Sequence, residues 1–356
     1  MHTPPAVTSL THGEMVRFLG EKGLPRFRAD QLFAWVYRRR VDDFALMTDL
    51  PAALREDLAS WFSPPREHPG VVSRGEDGSA KLEVCLGDGA SVEAVLMQDD
   101  DRNTLCLSSQ VGCALGCAFC RTGTMGFSRH LETGEMVAQY RLAQALLPPD
   151  RDRIHNLVFM GMGEPLLNLD NVVSAIDIFT CRQGLFISPH KITVSTAGVA
   201  DAIPDFAARC RADLAVSLNA TTDELRSRLM PINRKYPLAV LTARLKQVEA
   251  KRRRDFTLEY VMLSGVNDTP EDSHRLGILA KSLEMKVNLI PFNAHDRSDF
   301  RGSGEAAIDR FCADLARSKV TVTVRRSRGR DIHAACGMLA GSLPGPSRRE
   351  SRSPAS

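Results

Sequence analysis

Apolar residues recur at helical spacing over residues 13–19, 28–39 and 52–62, interrupted by Gly23-Leu24-Pro25 and by Leu50-Pro51. Three short helices are therefore expected, closed by Pro64-Pro65. Two alternating stretches follow, 81–86 and 91–97, joined by Gly87-Asp88-Gly89, a hairpin signal. From residue 103 the pattern changes to short apolar runs alternating with amphipathic ones. Strands are expected over 104–108, 156–160, 191–195, 213–217, 257–262, 286–290 and 321–325. Helices are expected over 133–146, 171–180, 222–230, 238–251, 271–283 and 305–317. Such alternation calls for parallel strands with helical crossovers. Six or more units favour a barrel or partial barrel over a flat doubly wound sheet. The α/β chain then divides into helical residues 1–66, a small β segment over 67–98, a core over 99–340, and a Ser/Pro/Arg-rich tail over 341–356 expected to be disordered.

At 356 residues, 43% hydrophobic and 25% charged, the chain has the composition of a soluble globular protein. Residues 1–10 lack the order of a signal peptide, and no apolar run approaches the ~20 residues of a membrane span. A cytoplasmic protein without membrane contact is expected. There, nine cysteines point to metal or redox chemistry rather than a disulfide framework. The net charge of +3 announces no nucleic-acid binder. Basic clusters at 38–40, 251–254 and 325–330 each read as solvated helix ends or turns, and together leave RNA open as a partner.

The densest chemistry lies in Cys113-Ala114-Leu115-Gly116-Cys117-Ala118-Phe119-Cys120, a C-x3-C-x2-C spacing after an expected strand. Three close thiolates without an evident fourth ligand suit a [4Fe–4S] cluster with one iron open to a small molecule. A zinc knuckle, or a redox pair at Cys117 and Cys120, stays open as an alternative. The spacing resembles that of radical S-adenosylmethionine (SAM) enzymes. Ligands of parallel β/α folds gather at the carboxyl ends of the strands. Those ends carry Gly161-Met162-Gly163-Glu164-Pro165, Ser195-Thr196, Ser217-Leu218-Asn219, Asn293, and Ala334-Ala335-Cys336-Gly337. Hydroxyls, amides and one carboxylate around the cysteine loop would suit the polar body of SAM. Singly, each also reads as a turn or a helix cap.

Longer stretches carry a more specific resemblance. Phe27-Arg28-Ala29-Asp30-Gln31-Leu32-Phe33, Ser108-Ser109-Gln110-Val111-Gly112-Cys113, Val158 through Asn168, Met230-Pro231-Ile232-Asn233-Arg234-Lys235-Tyr236-Pro237 and Asp331-Ile332-His333-Ala334-Ala335-Cys336-Gly337 are similar to the RlmN/Cfr family of radical SAM RNA adenine methyltransferases, over residues 26–340. The resemblance implies a partial (β/α)6 radical SAM barrel with an N-terminal helical, RNA-binding accessory domain and a small β linker segment. It implies methylation of C2 of adenine 2503 in 23S rRNA and of adenine 37 in tRNAs. A [4Fe–4S] cluster on Cys113, Cys117 and Cys120 and two SAM molecules per turnover are implied, with an external electron donor of the flavodoxin or ferredoxin type. A monomer is expected.

By matched position, Cys336 takes a methyl group from the first SAM. The 5′-deoxyadenosyl radical from the second abstracts hydrogen from that methyl, and the methylene radical adds to adenine C2. Glu93 is the matched proton acceptor. Cys106 is the matched resolving cysteine, releasing the product through a transient disulfide with Cys336. SAM contacts fall on Gly163, Glu164, Ser195, Ser217, Leu218, Asn219 and Asn293. Without the resemblance, Cys106 and Cys336 would read as small buried hydrophobes and Glu93 as a solvent-facing strand residue. Cys85, Cys181, Cys210 and Cys312 match no motif. Departures from the family pattern occur at Asn219, Arg330 and Met338, where relatives often carry His, a small or acidic residue, and Gln. None removes a catalytic group. Two rivals remain: Cfr-like methylation of C8 of the same adenine, and a non-catalytic, zinc-stabilised RNA-binding protein.

Overall fold

The computed structural model describes residues 4–64, 66–99 and 102–341. Apart from Gly341, the tail expected over 341–356 lies outside the described residues. No helix among them is long and apolar enough to cross a membrane.

The N-terminal helices are α1 (His12–Glu21), α2 (Phe27–Phe33), which continues into one π-helical turn over Ala34–Arg38, and α3 (Ala52–Trp61). A capping box starts α1: the Glu14 N–H donates to the Thr11 hydroxyl, and the Glu14 carboxylate accepts from the Thr11 N–H at 2.8 Å. Such a cap stabilises a helix by about 1 kcal/mol. Met15, Leu19, Leu32, Phe33, Val36, Leu54 and Leu58 turn inward and merge with the main core.

The strands are β1 (His68–Arg74), β2 (Ser79–Cys85), β3 (Ser91–Gln98), β4 (Asn103–Cys106), β5 (Gln110–Gly112), β6 (Phe127–His130), β7 (Asn156–Phe159), β8 (Ile192–Thr196), β9 (Asp213–Ser217), β10 (Thr257–Met262), β11 (Lys286–Pro291) and β12 (Val322–Val324). Ten form one sheet in the order β1-β2-β3-β4-β7-β8-β9-β10-β11-β12, while β5 and β6 pair separately. From β4 to β12 every neighbouring pair is parallel, and β1 to β3 extend the sheet antiparallel. Between the parallel strands run α4 (Thr133–Gln144), α5 (Leu169–Thr180), α6 (Ala202–Arg209), α7 (Asp223–Leu229), α8 (Leu238–Gln247), α9 (Ala250–Arg253), α10 (Pro270–Leu283) and α11 (Glu305–Arg317). A sequential strand order with right-handed crossovers wraps all helices on one side of the sheet. Accordingly α4, α5, α6, α8, α10 and α11 pack each against the next. The two edges, β1 and β12, do not pair, so this is a partial barrel with six crossovers.

Alternation along the strands separates the two faces. Leu105, Leu157, Phe159, Val194, Leu214, Val216, Leu258 and Leu289 are buried in the core. Ser195, Ser217, Glu259 and Cys106 face the cavities at the strands' carboxyl ends. After β12 the chain crosses from the last strand back to the β1–β3 hairpins. Arg328 Nη1 donates to the Gln98 carbonyl at 2.7 Å, the Gly329 N–H to Asp77 Oδ2 at 2.7 Å, and the Ala340 N–H to Glu93 Oε2 at 2.7 Å.

Of the basic clusters, 251–254 corrects the expectation of a solvated helix end, while Arg38, Arg39, Arg40 and Arg326 are exposed as expected. Arg252 and Arg253 are buried, with guanidinium groups spent on the carbonyls of Cys210, Ala212, Leu283 and Val248. Arg40 pairs with Asp152, and Arg326 pairs with Glu305 through two bonds near 3 Å.

Candidate active site

The loop between β5 and β6 carries the cysteine triplet, and two glycines set its approach. Gly112 has φ +75°, and a Cβ there would stand 2.0 Å from the Gly126 carbonyl oxygen, which instead accepts from the Cys113 N–H at 2.7 Å. Gly163, at φ +98°, leaves no room for a Cβ against the Gln110 side chain. The loop is tied to α7 by the Ala118 N–H donating to the Leu229 carbonyl at 2.9 Å, and to the closing segment by the Arg121 N–H donating to the Gly337 carbonyl at 2.7 Å.

A cleft open at its mouth is lined by Cys113, Cys117 and Cys120 together with Gly163, Glu164, Ser195, Ser217, Asn219, Asn293 and Cys336. The structure therefore gathers residues spread over more than two hundred positions of sequence into one chamber. A second, smaller cavity is lined by Cys106, Val95, Met160, Arg325 and again Cys336. Cys336 thus stands in the wall between the triplet and Cys106. None of the nine cysteines is joined in a disulfide.

Two expected site residues lie outside these chambers. Leu218 is buried, its N–H donating to the Glu259 carbonyl at 2.9 Å and its carbonyl accepting from Arg226 Nε at 3.1 Å. Glu93 lies on β3 two positions before Val95, which pairs with Cys106. Its carboxylate takes Lys81 at 3.0 Å and the Ala340 N–H at 2.7 Å.

Burial dominates the electrostatics. It pushes the Cys113 thiol up to about 12 and raises Cys117 and Cys120, with the neighbouring thiols adding to the rise at Cys113 and Cys117. Such thiols ionise only against a bound cation. Among the described residues, one group of three (His190, Asp213 and Asp255) brings its ligand atoms within 4.8 Å of one another. The three cysteines of the triplet are not such a group, but they line one cleft together. Three thiolates from one loop suit a [4Fe–4S] cluster with one open iron.

Glu164, 2% exposed, accepts from the Ala197 N–H at 2.7 Å and the Leu166 N–H at 3.1 Å. Burial pushes its carboxyl up to about 7, and no basic side chain among the described residues pairs with it. It is suited to receive a ligand ammonium. Asn293 bridges barrel and closing segment, donating to Ser327 Oγ at 2.9 Å and to the Cys336 carbonyl at 3.3 Å.

Sequence reasoning missed Arg226 and Glu259. Arg226 is fully buried and donates to the carbonyls of Leu218, Ala197 and Ser217 and to Asn233 Oδ1, binding together the chain ends behind the cleft. No spacing announced it. Glu259 lines the cleft and stands 4.0 Å from Arg325. A carboxylate at an inward position of an otherwise apolar strand was the available signal.

Residues 7–63 match the ribosomal RNA large subunit methyltransferase N-terminal domain, and residues 107–276 match the radical SAM superfamily. The dual-specificity RNA methyltransferase RlmN of Geobacter sulfurreducens is 48% identical over 343 residues, covering 96% of this chain and 94% of its own. That of Geotalea uraniireducens is 46% identical, covering 95% and 97%. Among solved structures, a radical SAM methyltransferase from Sphaerobacter thermophilus superposes with a TM-score of 0.88 at 40% identity, covering 94% of this chain and 99% of its own. With a shared architecture and this identity along nearly the whole length, the chain belongs to the RlmN family of dual-specificity radical SAM RNA methyltransferases.

Proposed function

We propose that this enzyme methylates C2 of adenine 2503 in 23S rRNA and of adenine 37 in tRNAs through a methyl group carried on Cys336. The observation that carries the reading is the place of Cys336, shared between the chamber of the cysteine triplet and the chamber of Cys106. The resident groups are a [4Fe–4S] cluster and SAM. When bound, they supply an electrophilic methyl group and a 5′-deoxyadenosyl radical. Cys113, Cys117 and Cys120 would hold the cluster. Glu164, with Gly163, Ser195, Ser217, Asn219 and Asn293 beside it and Leu218 behind, would hold SAM.

The protein's own groups then divide the work. C2 of adenine lies between two ring nitrogens and is electron-poor, so it cannot act as the nucleophile toward an ordinary methyl donor. Cys336 serves as the nucleophile instead and presents the carbon to the ring. Glu93 accepts the C2 proton. Cys106 attacks the Cys336 sulfur, closes a disulfide and frees the RNA. The Cys106 thiol is pushed up to about 12, chiefly by burial, while Arg325 beside it acts in the opposite direction. A cationic neighbour of this kind is what a resolving thiolate needs.

We assign residues 1–66 to RNA engagement, 67–98 to a β segment bearing Glu93, and 99–340 to the radical SAM core. The working enzyme is proposed to be a cytoplasmic monomer served by a flavodoxin- or ferredoxin-type donor. The test is anaerobic reconstitution with RNA, followed by mass spectrometry of the digested nucleosides. The expected product is 2-methyladenosine; 8-methyladenosine would overturn the regiochemistry. C336A is expected to abolish methylation while retaining iron, and C106A to trap a covalent protein–RNA adduct. Clean turnover by C106A would remove the resolving role, and stoichiometric zinc without iron would remove the cluster.

A further inference from the structure

Directly across the β2–β3 ladder from Glu93 stands Glu83. Residues opposite one another on neighbouring strands share a face, and like charges so placed repel. Glu83 is held away by other partners: the Ser91 hydroxyl donates to its Oε1 at 2.7 Å and the Val71 N–H to its Oε2 at 3.3 Å. Glu93 gives its Oε1 to Lys81 Nζ at 3.0 Å and its Oε2 to the Ala340 N–H at 2.7 Å. Lys81 comes from the same face of β2, one pleat along, where its own ladder partner is Val95. With side chains 18% and 12% exposed, the pair is largely screened from water, where a charge contact is stronger than at the surface.

Among the described residues, the further hydrogen-bond partners of Glu93 are neutral. The Ser108 hydroxyl donates to its carbonyl at 2.6 Å, its N–H meets the Met162 sulfur at 3.4 Å, and the Cys106 thiol lies beyond Val95 on β4. Lys81 thus shares a face with two half-buried carboxylates and touches the one on β3.

We propose that Lys81 is a positioning residue for the proton-transfer step. It fixes one oxygen of the Glu93 carboxylate on the face shared with Glu83, so that the other oxygen is free for the ring proton once the Ala340 N–H withdraws. The inference rests on the reading of Glu93 as proton acceptor. Once the radical adduct has given up its unpaired electron to the iron–sulfur group of the established reaction, the C2–H bond breaks, its electron pair restores the aromatic ring, and the proton passes to Glu93 Oε2. Lys81 keeps its own protons throughout.

The experiment follows the covalent protein–RNA adduct in reconstituted K81M, K81Q, K81R and E93Q enzymes at one pH, on denaturing gels. Methylation of Cys336 is read separately by protein mass spectrometry. K81M and K81Q are expected to resolve the adduct about 10- to 100-fold more slowly than the parent, the scale of a misplaced reacting group. Cys336 methylation should keep the parent rate, and K81R should restore resolution. Should K81M fold poorly, K81Q carries the comparison. Resolution at the parent rate in both neutral variants while E93Q stalls would overturn the role of Lys81, as would a K81R as slow as K81M. If E93Q itself resolves at the parent rate, the fault lies in the assignment of Glu93, and the inference goes with it.

Discussion

The buried guanidinium of Arg226 makes four hydrogen bonds, of 2.7 to 3.2 Å, to Ala197, Asn233, Leu218 and Ser217. Replacing it with Met keeps most of the apolar stem and removes every donor. Bonds from a charged donor contribute roughly 1.5 kcal/mol each at the lower end, so about 6 kcal/mol is at stake. Against this, burying the charge is itself unfavourable. Burial pushes Arg226 well below its ordinary range, to about 10, which corresponds to about 3 kcal/mol relieved when the charge is deleted. The balance is a loss of about 3 kcal/mol, because the acceptors left behind stay buried. For a chain of this size that lowers the melting temperature by roughly 5 °C. Urea denaturation of anaerobically purified protein measures the difference directly, and SAM affinity should fall alongside, since Ser217 and Asn219 line the cleft. R226K should recover less than half, since an ammonium cannot present the planar fork to four acceptors. An R226M variant within about 0.5 kcal/mol of the parent, the range of an ordinary surface change, would refute the view that this side chain holds the strand ends together.

Gly112→Ala is expected to push the Gly126 carbonyl away, break its bond from the Cys113 N–H, and lower iron content per chain with little change in far-UV circular dichroism. Chemical iron and sulfide analysis checks it. Glu164, raised by burial from 4.5 to about 7, favours the folded state most below 4.5, and that contribution is lost as pH rises through about 7. In SAM-free protein, E164Q should therefore remove about 3 kcal/mol of pH dependence between those limits, read from urea midpoints. For SAM the sign is opposite: affinity should rise as the parent carboxylate ionises through about 7, and E164Q should flatten that rise.

The parallel core was legible because strands covered on both faces, or on one face and a dry lumen, read as short apolar runs between amphipathic helices. All seven parallel strands fall where the pattern placed them. β1 escaped notice for the converse reason. It is an exposed edge with a register shift between Pro69 and Val72, so nothing alternates cleanly. β5 and β6 are too short to leave a period. The helix α6 was hidden by Pro204 inside its first turn, a position a helix tolerates. The helix expected over 238–251 stops at Gln247, where Val248 turns extended and buries its side chain before α9 begins. At the site, the cysteine triplet and the polar strand ends declared themselves through residue type. Arg226 did not, because its partners are main-chain carbonyls that only the folded chain brings together.

The segment after β12 spans the gap left by the unpaired edges and, in the same few residues, carries the sulfur at 336 and the backbone contact to Glu93. Bridging the open side of the sheet and completing the walls of both cavities are consequently one event. A chain that has formed its helices and most of its sheet but not yet laid down this segment leaves Glu93 without the Ala340 N–H and both cavities without the side chain at 336.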